Sequence, residues 1–137
     1  MCNFAASKQR QMKHYIQLLR PLQWIKNAFL FAPAFFSTNL LKPEYFWPTF
    51  VVFISFCLIS SSIYCFNDLR DSEADRQHPK KCKRPIASGA VSIKGGYMMM
   101  LICTIGALLL SPFAQSPNTH YLYIIIGGYW LMNIAYC

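Results

Sequence analysis

The sequence predicts an all-α fold, a multi-spanning transmembrane helix bundle of about four spans. Three observations carry that expectation. Hydrophobic residues make up 55% of the 137 residues and charged residues only 13%, where soluble domains run to about 25% charged. Two long stretches, 45–67 and 95–137, contain no Asp, Glu, Lys or Arg. The thirteen basic residues outnumber the five acidic ones, and they cluster in alternate connections between the apolar stretches.

Taken in order, the first span is expected at about 18–38. Its charge-free part is Asn27 to Leu41, with Arg20 and Lys26 entering from one side. The second, at about 46–66, is FWPTFVVFISFCLISSSIYCF, close to the roughly 20 apolar residues that cross a hydrocarbon core. The 43 residues from Gly95 to Cys137 are too many for one span, and SPFAQSPNTH interrupts them with two prolines and polar residues. They divide into spans at about 95–113 and 121–137. The whole reads as one membrane domain, 1–137, with a loop at 67–94.

Other classes are excluded. So apolar a chain is not disordered. The six cysteines, at 2, 57, 65, 82, 103 and 137, show no paired spacing and no C-x-x-C, so neither a disulfide scaffold nor a thiolate zinc site is expected. The first 14 residues are too polar for a secretory signal.

Charge orients the bundle. Lys8, Arg10, Lys13, Arg20 and Lys26 precede or open the first span, and Arg70, Arg76, Lys80, Lys81, Lys83, Arg84 and Lys94 lie between the second and third. Only Lys42 lies between the first and second. By the positive-inside rule the N-terminus and the 67–94 loop face the cytoplasm. The expected location is multi-pass in a bacterial inner membrane.

The 67–94 loop holds four of the five acidic residues and seven of the thirteen basic ones. On a helix continuing out of the second span, at about 100° per residue, Asn67, Asp68, Asp71 and Asp75 fall near 0°, 100°, 40° and 80°. Glu73 falls near 240°, on the far side. Carboxylates and an amide oxygen facing together suit a hard divalent cation, and Mg²⁺ in particular uses few carboxylates plus substrate phosphates. The basic residues just downstream can meet phosphate oxygens. An acidic helix face beside a basic loop is a diphosphate site in outline.

These residues resemble a known family. Asn67–Asp75 matches the N-D-x-x-D-x-x-x-D motif of the UbiA superfamily of intramembrane prenyltransferases, and Arg84-Pro85-Ile86-Ala87-Ser88-Gly89 matches the R-P-[IL]-x-[SA]-G stretch after it. Arg20-Pro21-Leu22-Gln23-Trp24-Ile25-Lys26-Asn27, with Phe31-Ala32-Pro33 behind it, is similar to the opening of the subgroup that transfers phosphoribosyl groups; so is His78-Pro79.

The resemblance implies roles residue by residue. Asn67, Asp71 and Asp75 would hold Mg²⁺ against a donor diphosphate, with Asp68 their neighbour. Asp71, Asp75, Lys83 and Arg84 form the implied catalytic set. Lys26, Asn67, Asp68, Lys80 and Arg84 form the implied substrate-binding set. The implied reaction is phosphoribosyl transfer from phosphoribosyl pyrophosphate to a polyprenyl phosphate with loss of pyrophosphate. Prenyl transfer to an aromatic acceptor is the alternative. The implied partners are an isoprenoid lipid, a diphosphate donor and the membrane; no nucleic acid is expected. Superfamily members are about twice this length and carry a second aspartate-rich loop that no part of this sequence supplies. The chain therefore reads as the N-terminal half of such a bundle, expected not to turn over substrate alone, and a relic or a binding-only half also fits.

Overall fold

The computed structural model describes residues 2–38, 41–114 and 119–136, and all the regular structure among them is helical. Helix α1 is Cys2–Leu19, followed by a 3-10 segment, Pro21–Phe31, and a short α2, Ala32–Phe36. Helix α3, Pro43–Arg70, is the longest, and a small α4, Ser72–Gln77, follows it. After a 3-10 turn at Lys81–Lys83 come α5, Ile93–Leu110, continued by a 3-10 turn at Ser111–Ala114, and α6, Thr119–Tyr136.

Among the described residues two stretches are long and apolar enough to cross a membrane, Pro43–Arg70 and Ile93–Ala114. They take in the expected 46–66 and 95–113 spans. At about 1.5 Å per residue, the 28 residues of α3 reach roughly 42 Å. A hydrocarbon core is about 30 Å thick, so one end of α3 stands clear of it. The expected 121–137 span falls on α6, with Cys137 outside the described residues; so are 115–118 of the expected interruption.

The expected first span, 18–38, is not one continuous helix. The α region is disfavoured for the residue before a proline by contact with the proline ring. Arg20 precedes Pro21, and it takes φ 51° and ψ 57°, the left-handed region. Helix α1 stops there, and Lys26 lies beyond it in the 3-10 segment.

Helix α3 is the hub, touching α1, the 3-10 segment, α5, α6 and the Ser111–Ala114 turn. Six of its buried residues are small, Ser55, Cys57, Ser60, Ser61, Ser62 and Cys65, and such residues allow close helix approach in lipid. Ser62 Oγ and Thr104 Oγ1 lie 2.7 Å apart across the α3–α5 contact. Ser55 and Ser111 donate to carbonyls one turn back on their own chain, Val51 and Ala107. Asn133 does likewise, to the Tyr129 carbonyl at 2.7 Å.

Two apolar clusters result. Ile59, Ala107, Leu122 and Ile126 tie α3, α5 and α6; Leu18, Cys65, Leu69, Ile86 and Val91 close the end that carries the polar loop. Outward-facing residues such as Leu101, Ile105, Leu109, Ile124 and Leu131 are large and exposed, as expected of helices that are apolar all round and meet lipid.

Candidate functional site

Helix α3 ends at Asp71, whose φ of −86° and ψ of 2° bend the chain without breaking its hydrogen bonding. The Asp71 N–H donates to the Asn67 carbonyl at 2.9 Å, and the Asp75 N–H donates to the Asp71 carbonyl at 2.8 Å. Asp68 and Asp75, two turns apart, stay on the inner side, each 2% exposed, while Glu73 is exposed.

The returning loop is shaped by local bonds. His78 Nδ1 accepts from the backbone N–H groups of Lys80 and Lys81 at 3.2 and 3.3 Å. Beyond Arg84 the backbone turns through Ser88 N to Arg84 O, 2.8 Å, and Val91 N to Pro85 O, 2.9 Å. Gly89 has φ 78°, a conformation that costs other residues about 1–2 kcal/mol. The turn pushes Ile86 and Ala87 into the apolar cluster. There Ile86 meets Gly96, where a Cβ would lie 2.8 Å from Ile86 Cδ1 and 2.9 Å from Leu69 Cδ2. The R-P-I-A-S-G stretch is thus an anchor, and what it anchors is Arg84.

Arg84 Nη1 sits 2.6 Å from Asp75 Oδ2 and 3.4 Å from Asp68 Oδ1. Lys81 Nζ lies 3.8 Å from Asp75 Oδ1. Asp68 Oδ1 is also met by Arg20 Nη2 at 2.6 Å, and the Arg20 guanidinium lies over the Tyr64 ring, 4.8 Å from its centre. Two buried carboxylates are therefore held by two arginines from opposite ends of the chain segment, with Lys81 at the edge. Asp68 Oδ2 is buried without a partner.

The 3-10 segment explains how Arg20 arrives. In a 3-10 helix residues three apart line up, so Trp24 and Asn27 share a face, and that face lies on α3. Trp24 Nε1 donates to Ser61 Oγ at 3.0 Å. Asn27 Nδ2 donates to Ser60 Oγ at 3.3 Å and to Cys57 Sγ at 3.6 Å. Ser61 Oγ in turn lies 2.8 Å from the Leu19 carbonyl, the last of α1, and 2.9 Å from the Cys57 carbonyl. On α3 the receiving residues, Cys57, Ser60, Ser61, Tyr64 and Asp68, recur at helical spacing down one side.

The residues expected at the site divide. Asp68, Asp75 and Arg84 come together directly. Asn67 and Asp71 lie half-buried at the bend beside them, while Lys80 and Lys83 are exposed on the loop. Lys26 is exposed, and no ion pair among the described residues ties it to the cluster. Among the described residues no three of His, Cys, Asp and Glu gather closely enough to hold a metal ion. Arginine and lysine nitrogens fill the space between the carboxylates instead. Arg20 is the site residue that sequence reading missed. Its signal was present in the Arg-Pro dipeptide, which ends α1 and turns the side chain toward α3. Trp24 is a hydrogen-bonded part of the docked segment.

Separately, an open apolar groove of about 420 Å³ runs along the 3-10 segment and α2, lined by Ile25, Ala28, Phe29, Phe31, Ala32, Phe35 and Phe36.

Apolar helices around a serine-rich central helix, with paired aspartates and arginines at its end, define the class: the chain belongs to the UbiA prenyltransferase family. That family's profile matches residues 28–137, and its fold is a membrane helical bundle. Among its relatives, the decaprenyl-phosphate phosphoribosyltransferase of Mycolicibacterium smegmatis is 38% identical over 126 residues, covering 89% of this chain and 38% of that protein. The protein of the same name from Corynebacterium glutamicum is 35% identical over 124 residues, covering 89% of this chain and 37% of that one. The nodulation protein NoeC of Azorhizobium caulinodans is 31% identical over 126 residues, covering 89% and 38%. The chain thus spans about two fifths of the length of the curated relatives it matches.

Proposed function

We propose that this chain carries the donor-diphosphate side of a membrane transferase site, and that the reaction served is phosphoribosyl transfer from phosphoribosyl pyrophosphate to a polyprenyl phosphate, with loss of pyrophosphate. The observation that carries the reading is the buried cluster of Asp68, Asp75, Arg20 and Arg84 at the end of α3. A buried charge cluster is a costly way to stabilise a fold, and a cluster at the mouth of an apolar bundle is a candidate functional site. The names of the Mycolicibacterium and Corynebacterium relatives favour the phosphoribosyl version.

In this reading Arg84 and Lys83, with Lys80 on the same loop, meet the donor's phosphate oxygens through charge-assisted hydrogen bonds. They stabilise the negative charge that builds on the departing diphosphate. Asn67, Asp71 and Asp75 are the proposed holders of a divalent ion, Mg²⁺ by the chemistry of oxygen donors. Their oxygens have the chemistry such an ion takes, and Asp68 Oδ2, buried without a partner, is a further oxygen at the same end of α3, although in this structure Arg84 stands between Asp68 and Asp75 and the carboxylates are not gathered around a common point. Bound there, the ion supplies further positive charge to the leaving group. For Asp75 to serve as a ligand, Arg84 must shift from carboxylate to phosphate. The apolar groove over Phe29, Phe31, Phe35 and Phe36 suits an isoprenoid tail. Four spans, with the N-terminus and the 67–94 loop in the cytoplasm, complete the proposal.

The test is diphosphate binding by titration calorimetry with and without Mg²⁺. Binding should require the ion. Asp71→Asn, which removes a charged oxygen at the bend, should weaken it at least tenfold, about 1.4 kcal/mol. Glu73→Gln, on the exposed side, should change it less than twofold. Equal effects from the two substitutions, or binding indifferent to Mg²⁺, would sink the assignment.

A further inference from the structure

We propose that Ser61, in the middle of α3, is a positioning residue for the site: it fixes the kink between α1 and the 3-10 segment so that Arg20 is delivered onto Asp68. The positional claim stands on geometry, and its meaning for catalysis rests on the diphosphate reading above.

Ser61 is fully buried and lies seven residues from Asp68, about 10 Å along the helix axis. It touches no expected ligand position. Its single hydroxyl nevertheless meets both sides of the kink. On one side is the Leu19 carbonyl, 2.8 Å away. Leu19 ends α1, so its carbonyl is among those left without a partner inside the helix. On the other side the Trp24 indole N–H donates to the same oxygen at 3.0 Å. Between these two contacts stands Arg20, in the left-handed conformation that non-glycine residues adopt only when their surroundings impose it. The surroundings here are all on one face of α3: Ser61 holds the chain on either side, Tyr64 lies under the guanidinium at 4.8 Å, and Asp68 takes its Nη2 at 2.6 Å. Asn27, bonded to Ser60, secures the next turn of the segment.

Without the Ser61 hydroxyl, the indole N–H of half-buried Trp24 loses its acceptor, and the Leu19 carbonyl loses its share of a proton that also lies within reach of the Cys57 carbonyl at 2.9 Å. The kink is then free to relax toward ordinary backbone geometry, and a shift of the Arg20 Cα displaces the guanidinium from Asp68. The carboxylate keeps only its longer contact to Arg84, 3.4 Å. Ser61 thus acts through Arg20 while itself lying about 10 Å along the helix from Asp68.

The experiment uses the full chain in lipid nanodiscs and two readouts. The first is hydrogen exchange of the Leu19–Trp24 backbone; the second is affinity for inorganic pyrophosphate with Mg²⁺, measured for wild type, Ser61→Ala, Arg20→Ala and the double variant. Ser61→Ala should speed exchange in Leu19–Trp24 at least tenfold and lower affinity about tenfold. Trp24→Phe, which removes the same N–H while keeping an aromatic ring, should speed exchange in the same segment. Arg20→Ala should also lower affinity, and adding Ser61→Ala to it should change affinity no further. Unchanged exchange in Ser61→Ala, or a tenfold affinity loss that persists in the Arg20→Ala background, would overturn the positioning role. Wild type that binds no pyrophosphate, with exchange responding as expected, would overturn the diphosphate reading and leave the positional role standing.

Discussion

Replacing Arg84 with methionine should destabilise the protein out of proportion to the one side chain lost. The substitution keeps an unbranched chain of similar bulk and removes the cation that stands between Asp68 and Asp75. Removing one partner of a buried ion pair costs about 3–5 kcal/mol, because the other charge is left in a poor solvent. Both carboxylates qualify as buried, at 2% exposure. Three observations lower the figure. Arg84 is itself 26% exposed, Arg20 still holds Asp68 at 2.6 Å, and Lys81 remains 3.8 Å from Asp75. The expected loss is about 2–3 kcal/mol, read as the shift in reversible unfolding by SDS in mixed micelles, followed by circular dichroism. Arg84→Lys keeps a charged nitrogen, and Nη1 alone meets both carboxylates, but the ammonium is more strongly hydrated and costs more to bury; it should recover about half. Adding Asp75→Asn to Arg84→Met should restore about 1 kcal/mol or more, since the orphaned charge is then gone. Arg76→Ala, at an exposed position, should fall within about 0.5 kcal/mol of wild type. If Arg84→Met is no worse than Arg76→Ala, or if Asp75→Asn worsens it, the cluster does not hold the loop.

Two further outcomes are expected. In a Cys2→Ser/Cys137→Ser background, Cys82, half-buried on the basic loop where Cys57, Cys65 and Cys103 are buried, should resist a membrane-impermeant thiol reagent in intact cells and react after permeabilisation; labelling from outside would reverse the proposed orientation. Gly96→Ala should cost about 1–3 kcal/mol by overpacking against Ile86 Cδ1 and Leu69 Cδ2, and Ile86→Val, which removes that Cδ1, should recover part of it in the same SDS unfolding assay; a neutral Gly96→Ala would mean that α5 and the loop are not so closely packed.

Much of the helical layout was legible because hydrophobic length is a property of consecutive residues. The charge-free runs at 45–67 and 95–137 locate α3 and α5 without any knowledge of contacts. Asp68 and Asp75 were legible as a pair for a related reason: seven residues on a helix bring two side chains to nearly the same face, and the bend at Asp71 is shallow enough to preserve this. Arg20 was not legible. Its partner is 48 residues away, and reading 18–38 as one span carries a helical period through Arg20-Pro21, where the chain in fact turns. Lys26 consequently sits exposed while Trp24 and Asn27 take the inner face. The metal-ligand grouping drawn from helical angles alone left out the arginines, whose positions depend on how two distant segments return to the same end of α3.

The 3-10 geometry of Pro21–Phe31 sets a length scale as well as a direction. Trp24 and Asn27 are three residues apart on a helix rising about 2.0 Å per residue, a step of about 6 Å. Asn27 reaches both Ser60 and, one turn further, Cys57, and Cys57 is four residues from Ser61, the partner of Trp24, on a helix rising about 1.5 Å per residue, again about 6 Å. The two helices, running in opposite senses, are commensurate over that step, as an α-helical segment with its three-residue rise of about 4.5 Å would not be. A commensurate pair works like meshed gear teeth: it tolerates changes of side chain but not of tooth count. One residue inserted or deleted between Trp24 and Asn27 would unseat one of the two teeth and leave the other engaged, so variation in this segment should run to substitution and spare its length.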